Sequence, residues 1–287
     1  MKYMDANKKT VTVSVYRRSF FARRIPPEKI LLDGMKTGWI KDGCFQIGES
    51  GEESVTAFHT DHIGRGIRIS WKNDDARFTE LKLELPASEE EIDDFFLMSA
   101  RLAKQDICEV YFNEQPFVPK TYYDRRTSLK TENLRYLHQL MSGVLNGEPE
   151  ILPVSGVFRW LYAGMDEAET MWAGTDSKNL RIWLHNTQDP SWSYGISDGT
   201  PENSAQFFEI EKTLVLPNEE SLNKTEFQIR FLDPSARKIP GSISSSVLVH
   251  ELPLEKIHYL DAGYITVDPL SEAEVQRILE AGGSYGN

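Results

Sequence analysis

Apolar and polar residues alternate through Ile67, Arg68, Ile69, Ser70 and Trp71, and again through Leu81, Lys82, Leu83, Glu84 and Leu85. A period of two puts every second side chain on the same face of an extended strand, so each segment predicts a strand with one apolar face. The polar run from Lys72 to Ala76 supplies a turn between them, and Pro86, which lacks an N–H, ends the second strand. The period then changes. In Ser88-Glu89-Glu90-Glu91 the serine hydroxyl can accept the third helical N–H while Glu91 reaches back to the cap, the signature of a helix start. Ile92, Phe95, Phe96, Ser99, Leu102 and Ala103 follow helical spacing and predict one buried stripe. Glu89, Glu90, Asp93 and Asp94 are left facing water near the positive helix end. Beyond Lys104, Cys108, Val110 and Phe112 share a face of a third strand, so residues 63–113 read as a ββαβ unit.

Elsewhere the same arithmetic gives shorter elements. Val11, Val13 and Val15 alternate with Thr10, Thr12, Ser14 and Tyr16 and predict a half-buried strand whose flanking arginines sit on a solvated edge or pair with the acidic remainder of the chain. A stripe of Leu134, Leu137, Leu140, Met141, Val144 and Leu145 predicts a helix from Ser128 to about Leu145, followed by a turn at Asn146 to Glu150. Further on, alternation predicts strands over Leu180–Leu184, Phe227–Phe231 and Val247–Val249, with a short one at Tyr264–Val267. Asp198-Gly199 reads as a turn, with Thr200 capping a helix that starts at Pro201. A second capping box, Ser271 to Glu274, opens a final helix that runs through Val275, Ile278 and Leu279 to Gly282-Gly283. Regular βαβα alternation is missing. The expected class is therefore α+β with mainly antiparallel sheets, in two packed lobes: an N-terminal α+β lobe over 1–150 and a strand-rich α+β lobe over 151–287.

Composition narrows the class of partner. The 287 residues are 40% hydrophobic and 26% charged, a globular balance. Lys and Arg number 32 against 44 Asp and Glu, a net charge of −12 that opposes attraction to nucleic acid and anionic lipid. The first 48 residues run the other way, with ten basic and four acidic residues. Lys8, Lys9, Arg17, Arg18, Arg23 and Arg24 surround Phe20 and Phe21 there, but the strand edge accounts for them and no nucleic-acid or membrane partner is expected. The start of the chain has no apolar signal core, and no stretch approaches the about 18 apolar residues of a membrane span, which predicts a cytoplasmic, soluble protein. Cys44 and Cys108, the only two, cannot build a disulfide framework or a four-cysteine zinc site and read as buried thiols.

Two segments carry candidate chemistry. Between Phe58 and Gly66 lie His59, Asp61, His62 and Arg65, two imidazoles, a carboxylate and a guanidinium beside two glycines. In an extended chain His59 and Asp61 point one way and His62 the other, so a shared metal ion would need a turn and a further ligand that the sequence does not identify. The reading is therefore a binding cluster with no metal and no cofactor, with Gly64 and Gly66 accommodating a bulge into the next strand. Gly195-Ile196-Ser197-Asp198-Gly199 matches the G-x-S-x-G elbow of serine hydrolases, with Asp233 and His250 or His258 downstream in the order such a triad requires. Pro201 lies where a continuing helix needs its N–H, so Ser197, Asp233 and His250 form the alternative reading. No Gly-Lys dipeptide and no H-E-x-x-H occur, which excludes a P-loop and that type of zinc protease.

His62-Ile63-Gly64-Arg65-Gly66-Ile67-Arg68-Ile69-Ser70-Trp71, with Leu81 to Pro86 and the acidic start of the first helix, resembles an uncharacterised family of low-GC Gram-positive bacterial proteins, a domain of unknown function. The resemblance spans about residues 55–110 and implies shared fold, with no activity to transfer. The expected role is binding of a protein or other ligand without catalysis, through His59, Asp61, His62 and Arg65 in a loop beside glycines.

Overall fold

A computed structural model describes residues 9–19, 23–41, 44–48, 53–72, 74–105, 107–118, 121–197, 205–218 and 227–283. Its first half is an eight-stranded sheet built from β1 (Lys9–Arg17), β2 (Met35–Lys41), β3 (Cys44–Ile47), β4 (Ser54–His59), β5 (Ile67–Trp71), β6 (Phe78–Leu85), β7 (Cys108–Phe112) and β8 (Gln115–Pro116). The spatial order is β3-β2-β4-β5-β6-β1-β7-β8, and every neighbouring pair is antiparallel. The hairpin of β5 and β6 forms as its alternation predicts. β1 departs from expectation. It lies inside the sheet, between β6 and β7, so the ββαβ unit is completed by an earlier strand; the flanking arginines are not at a sheet edge, and Arg18 instead pairs with Glu109 of β7 at 3.1 Å. Val11, Val13 and Val15 are buried there, in one core with Leu81, Leu83 and Val110 of the flanking strands and with Phe95 of the covering helix.

Helix α1 (Glu89–Ala103) packs on this sheet through Ile92, Phe95, Phe96 and Leu102, and α2 (Tyr122–Leu145) adds Leu129 to the same core. The Ser88 hydroxyl accepts the Glu91 amide and the Glu91 carboxylate accepts the Ser88 amide, so the capping box closes as the sequence predicts. Asn133 of α2 is fully buried, and its side-chain amide accepts from and donates to the Ala87 backbone, tying α2 to the start of α1. Cys108 is half-buried.

The rest of the chain is mixed. β9 (Leu152–Ser155) and β10 (Trp160–Ala163) make a two-stranded sheet, followed by α3 (Met165–Trp172) and α4 (Lys178–Asn186). Leu137, Met141 and Val144 of α2 share a core with Leu152, Leu161, Met171, Leu180 and Leu184, so one helix serves cores on both sides of residue 150. Two four-stranded sheets follow. One is ordered β11 (Ser193–Tyr194), β14 (Leu214–Pro217), β18 (Tyr264–Val267), β17 (Ile257–Asp261); the other β12 (Ile196–Ser197), β13 (Ala205–Glu209), β15 (Gln228–Leu232), β16 (Ile243–Ser244). Only β11–β14 and β13–β15 are parallel among the described strand pairs, in keeping with a mainly antiparallel α+β fold. With α5 (Ser245–Glu251) and α6 (Glu272–Gly283) they enclose Phe208, Phe231, Leu248, Val275 and Ile278.

Two predicted strands are helices. Over Leu180–Leu184 the chain forms α4, because Leu180 and Leu184, one helical turn apart, are buried while Ile182 between them is 42% exposed. Over Val247–Val249 it forms α5, started by the Ser244 hydroxyl accepting the Val247 amide. Thr200 and Pro201, with Asp198 and Gly199, lie outside the described residues, as do Phe20 and Phe21.

Candidate functional site

β4 ends at His59, and the chain bends through Thr60, Asp61 and His62 before entering β5 at Ile67. That bend supplies the turn an extended reading of the segment lacks. The two imidazoles stack with ring centroids 4.1 Å apart and planes 24° from parallel. Both Nδ1 atoms face one Asp61 oxygen, at 3.2 Å from His62 and 3.9 Å from His59. One donor atom from each of the three side chains lies within 4.8 Å of the others, a spacing that a metal ion could draw together.

A fourth residue completes the arrangement. Asp94, on the polar face of α1, places an oxygen 3.3 Å from His59 Nε2. Burial pushes its carboxyl up to about 6, with the nearby Glu91, Asp93 and Glu90 adding to the rise and His62 opposing it. Burial, helped by His62, lowers His59 below its ordinary value against the pull of Asp61. At neutral pH Asp94 is therefore an acceptor and His59 a neutral imidazole, so the His59 proton belongs on Nε2 and its Nδ1 lone pair faces Asp61. A hydrogen bond from its own backbone amide, and then the two imidazoles, hold the Asp61 carboxyl below its usual range. His59 is 12% exposed and Asp61 80%, so the corner is rooted in the fold and open on the Asp61 side. Behind the rings a cavity of about 10 Å³, lined partly by Met35, Gly64, Glu91 and Asp94, has room for no more than about one water. A groove of about 600 Å³ opens beside it, walled by Met35, Leu31, Lys36 and Arg24.

The backbone after the corner is pinned from three directions. The Glu91 carboxylate accepts the amides of Arg65 and Gly66 at 2.6 and 2.8 Å. His185 Nδ1 accepts the Ile63 amide at 3.1 Å, and the Gln188 side chain donates to the Gly64 carbonyl at 2.9 Å. These bonds explain the glycines better than a bulge does. Gly64 leaves room for the Glu91 carboxylate, which a Cβ would overlap, and Gly66 sits at φ +76° against Thr56. Gly64→Ala should therefore cost about 1–3 kcal/mol through overpacking, read as a lowered midpoint in urea denaturation.

Arg65 stands apart from the three neighbours it was grouped with. Its side chain is 5% exposed and turns inward, where Nη2 donates to Glu84 at 2.6 Å and to the Ser155 hydroxyl at 2.5 Å, Nε to the Ser155 carbonyl and Nη1 to the Pro86 carbonyl. It joins β6 to β9. Ser197 lies in the two-residue strand β12, its backbone opposite Gln206. The Asp233 carboxylate accepts from Arg237 and from the amides of Ser235 and Arg237, and His250 is exposed in the last turn of α5. The missed residue is Asp94; its signal, a carboxylate on a helix face, is shared with Glu89, Glu90 and Asp93.

Residues 36–194 match the family described as a domain of unknown function, DUF4299, a stretch that contains the corner, α1 and α4 and extends well beyond residues 55–110. No curated protein and no solved structure matches the chain. Among the described residues no helix is long and apolar enough to cross a membrane.

Proposed function

We propose that this chain, which belongs to the DUF4299 family of unknown function, is a binding protein that acts without catalysis and takes a small ligand at the corner formed by His59, Asp61 and His62. The observation that carries the reading is convergence. Three side chains of one short bend each bring a donor atom within 4.8 Å of the others, and the backbone that follows them is held by Glu91, His185 and Gln188. A backbone fixed before the ligand arrives leaves less freedom to lose on association, which favours tighter binding. The adjoining groove shares Met35 with the recess behind the rings and has the volume of small-molecule sites, which gives a ligand larger than an ion a second surface. The family match includes the corner and ends before Ser197, Asp233 and His250, which favours the corner over the hydrolase reading.

A thermal-shift screen of the purified protein against divalent metals, nucleotides, sugars and short nucleic acids tests this. A ligand at a hundred times its Kd adds about 2.7 kcal/mol, and the midpoint should rise by several degrees. The rise should vanish in the His59→Ala/His62→Ala chain. A rise of equal size in that chain overturns the site. Labelling by a fluorophosphonate that disappears in Ser197→Ala overturns the absence of catalysis.

A further inference from the structure

We propose that the ligand of this corner is a divalent transition-metal ion of the zinc, cobalt or nickel kind, held by His59 Nδ1, the Asp61 carboxylate and His62 Nδ1, with Asp94 as the positioning residue behind His59. The inference rests on the binding role proposed for the corner and names its ligand.

The chemistry of the donors selects the ion. Imidazole nitrogens suit zinc, copper, iron and nickel, whereas calcium and magnesium prefer sites made wholly of oxygens. Donors about 2.0–2.1 Å from a tetrahedral ion stand about 3.3 Å from one another. The Asp61 oxygen is already 3.2 Å from His62 Nδ1 and 3.9 Å from His59 Nδ1. Asp61 is exposed and free to turn about its side-chain bonds, so closing the set on an ion requires little movement of the backbone. The stacked rings bring both Nδ1 atoms to the same edge of the pair, the edge that Asp61 faces.

Asp94 supplies what a ligand set needs behind it. Histidines that hold a metal commonly give their other ring N–H to a carboxylate, which fixes the tautomer and the ring orientation. His59 Nε2 stands 3.3 Å from the Asp94 carboxylate, whose side chain is 15% exposed. Two neutral imidazoles and one carboxylate carry a single negative charge, so a divalent ion leaves the site at +1 with a coordination position open to solvent.

The test is titration of the full chain with Zn²⁺, Co²⁺, Ni²⁺, Mn²⁺, Mg²⁺ and Ca²⁺ separately, by calorimetry and, for Co²⁺, by visible absorption. One equivalent of Zn²⁺, Co²⁺ or Ni²⁺ should bind, with the ring resonances of His59 and His62 reporting coordination through Nδ1. His59→Ala and His62→Ala should each weaken binding by more than about a hundredfold, and Asp94→Asn by about 10- to 100-fold. His258→Ala, remote in the fold, should leave affinity unchanged. The metal-free Asp94→Asn chain should melt within about 2 °C of the parent, which separates positioning from folding. No binding of any of these ions, or a preference for Ca²⁺ or Mg²⁺, overturns the metal. If an organic ligand then still shifts the midpoint in a His59- and His62-dependent way, the binding role stands without it. Metal affinity unchanged in the His59→Ala/His62→Ala chain overturns both.

Discussion

Glu91→Ala should cost the protein about 4 kcal/mol of stability, far more than a helix cap alone is worth. The carboxylate is buried and serves two structures at once. It closes the capping box by accepting the Ser88 amide at 3.2 Å, and it accepts the amides of Arg65 and Gly66. Truncation leaves three backbone N–H groups without their acceptor in a region where water has little room, at about 1–3 kcal/mol each before relaxation. Glu91→Gln keeps one acceptor oxygen and should lose about half as much. Urea unfolding of the three chains side by side measures this, and a loss below about 1 kcal/mol for alanine would sink the account. The substitution should also loosen the His59–His62 corner, because the backbone that follows it loses its strongest anchor.

A second large effect is expected far from the corner. Asp261 is fully buried and accepts from Arg159 Nη2 at 2.6 Å, from the Gly263 amide at 2.9 Å and from the Tyr162 amide at 3.3 Å. Removing it leaves the Arg159 guanidinium, 7% exposed, without its counter-charge, so Asp261→Ala should destabilise by about 3–5 kcal/mol. Replacing both residues with apolar ones, Arg159→Met with Asp261→Leu, should recover much of that loss, since no lone charge then remains. A double substitution as unstable as the sum of the singles contradicts the explanation. Burial pushes the Asp261 carboxyl above its ordinary 3.8 despite Arg159. The native state therefore holds this proton at higher pH than the unfolded chain does, and this group adds stability as pH falls through its raised value toward 3.8. That component should be missing from the alanine chain.

Much of the first sheet is legible from local pattern because each strand buries one face, and Ile67 to Trp71 or Leu81 to Leu85 record that face directly. The capping box at Ser88 is equally local, since both of its hydrogen bonds join residues three apart. Position within the sheet is another matter. Nothing in Val11 to Val15 says that both neighbours of β1 come from residues 78–85 and 108–112. Leu180, Ile182 and Leu184 fit a strand and a helix equally over five residues, and only the burial of the pair one turn apart decides. For the site, His59, Asp61 and His62 stand out as a cluster in sequence, yet the bend that brings their donors together is not written in their identities. Asp94 and Glu91 come from α1, and His185 and Gln188 from and just beyond α4, so their roles exist only once the chain has folded. Arg65 carried a functional look because a charge beside glycines is common in loops, while its partners Glu84, Pro86 and Ser155 are distant or unremarkable in sequence.

The interior position of β1 bears on the order in which the chain assembles. During synthesis β1 is made before both strands it must pair with, which appear only after another 60 to 100 residues or so. Until then its backbone groups can be satisfied only by solvent, and the β6 and β7 strands that await it present two open edges to any other chain. Closing that gap joins segments distant in sequence, the kind of contact that slows folding. Pairing of β1 with both neighbours is thus what removes the inner edges of β6 and β7 and leaves the sheet with only its outer ones.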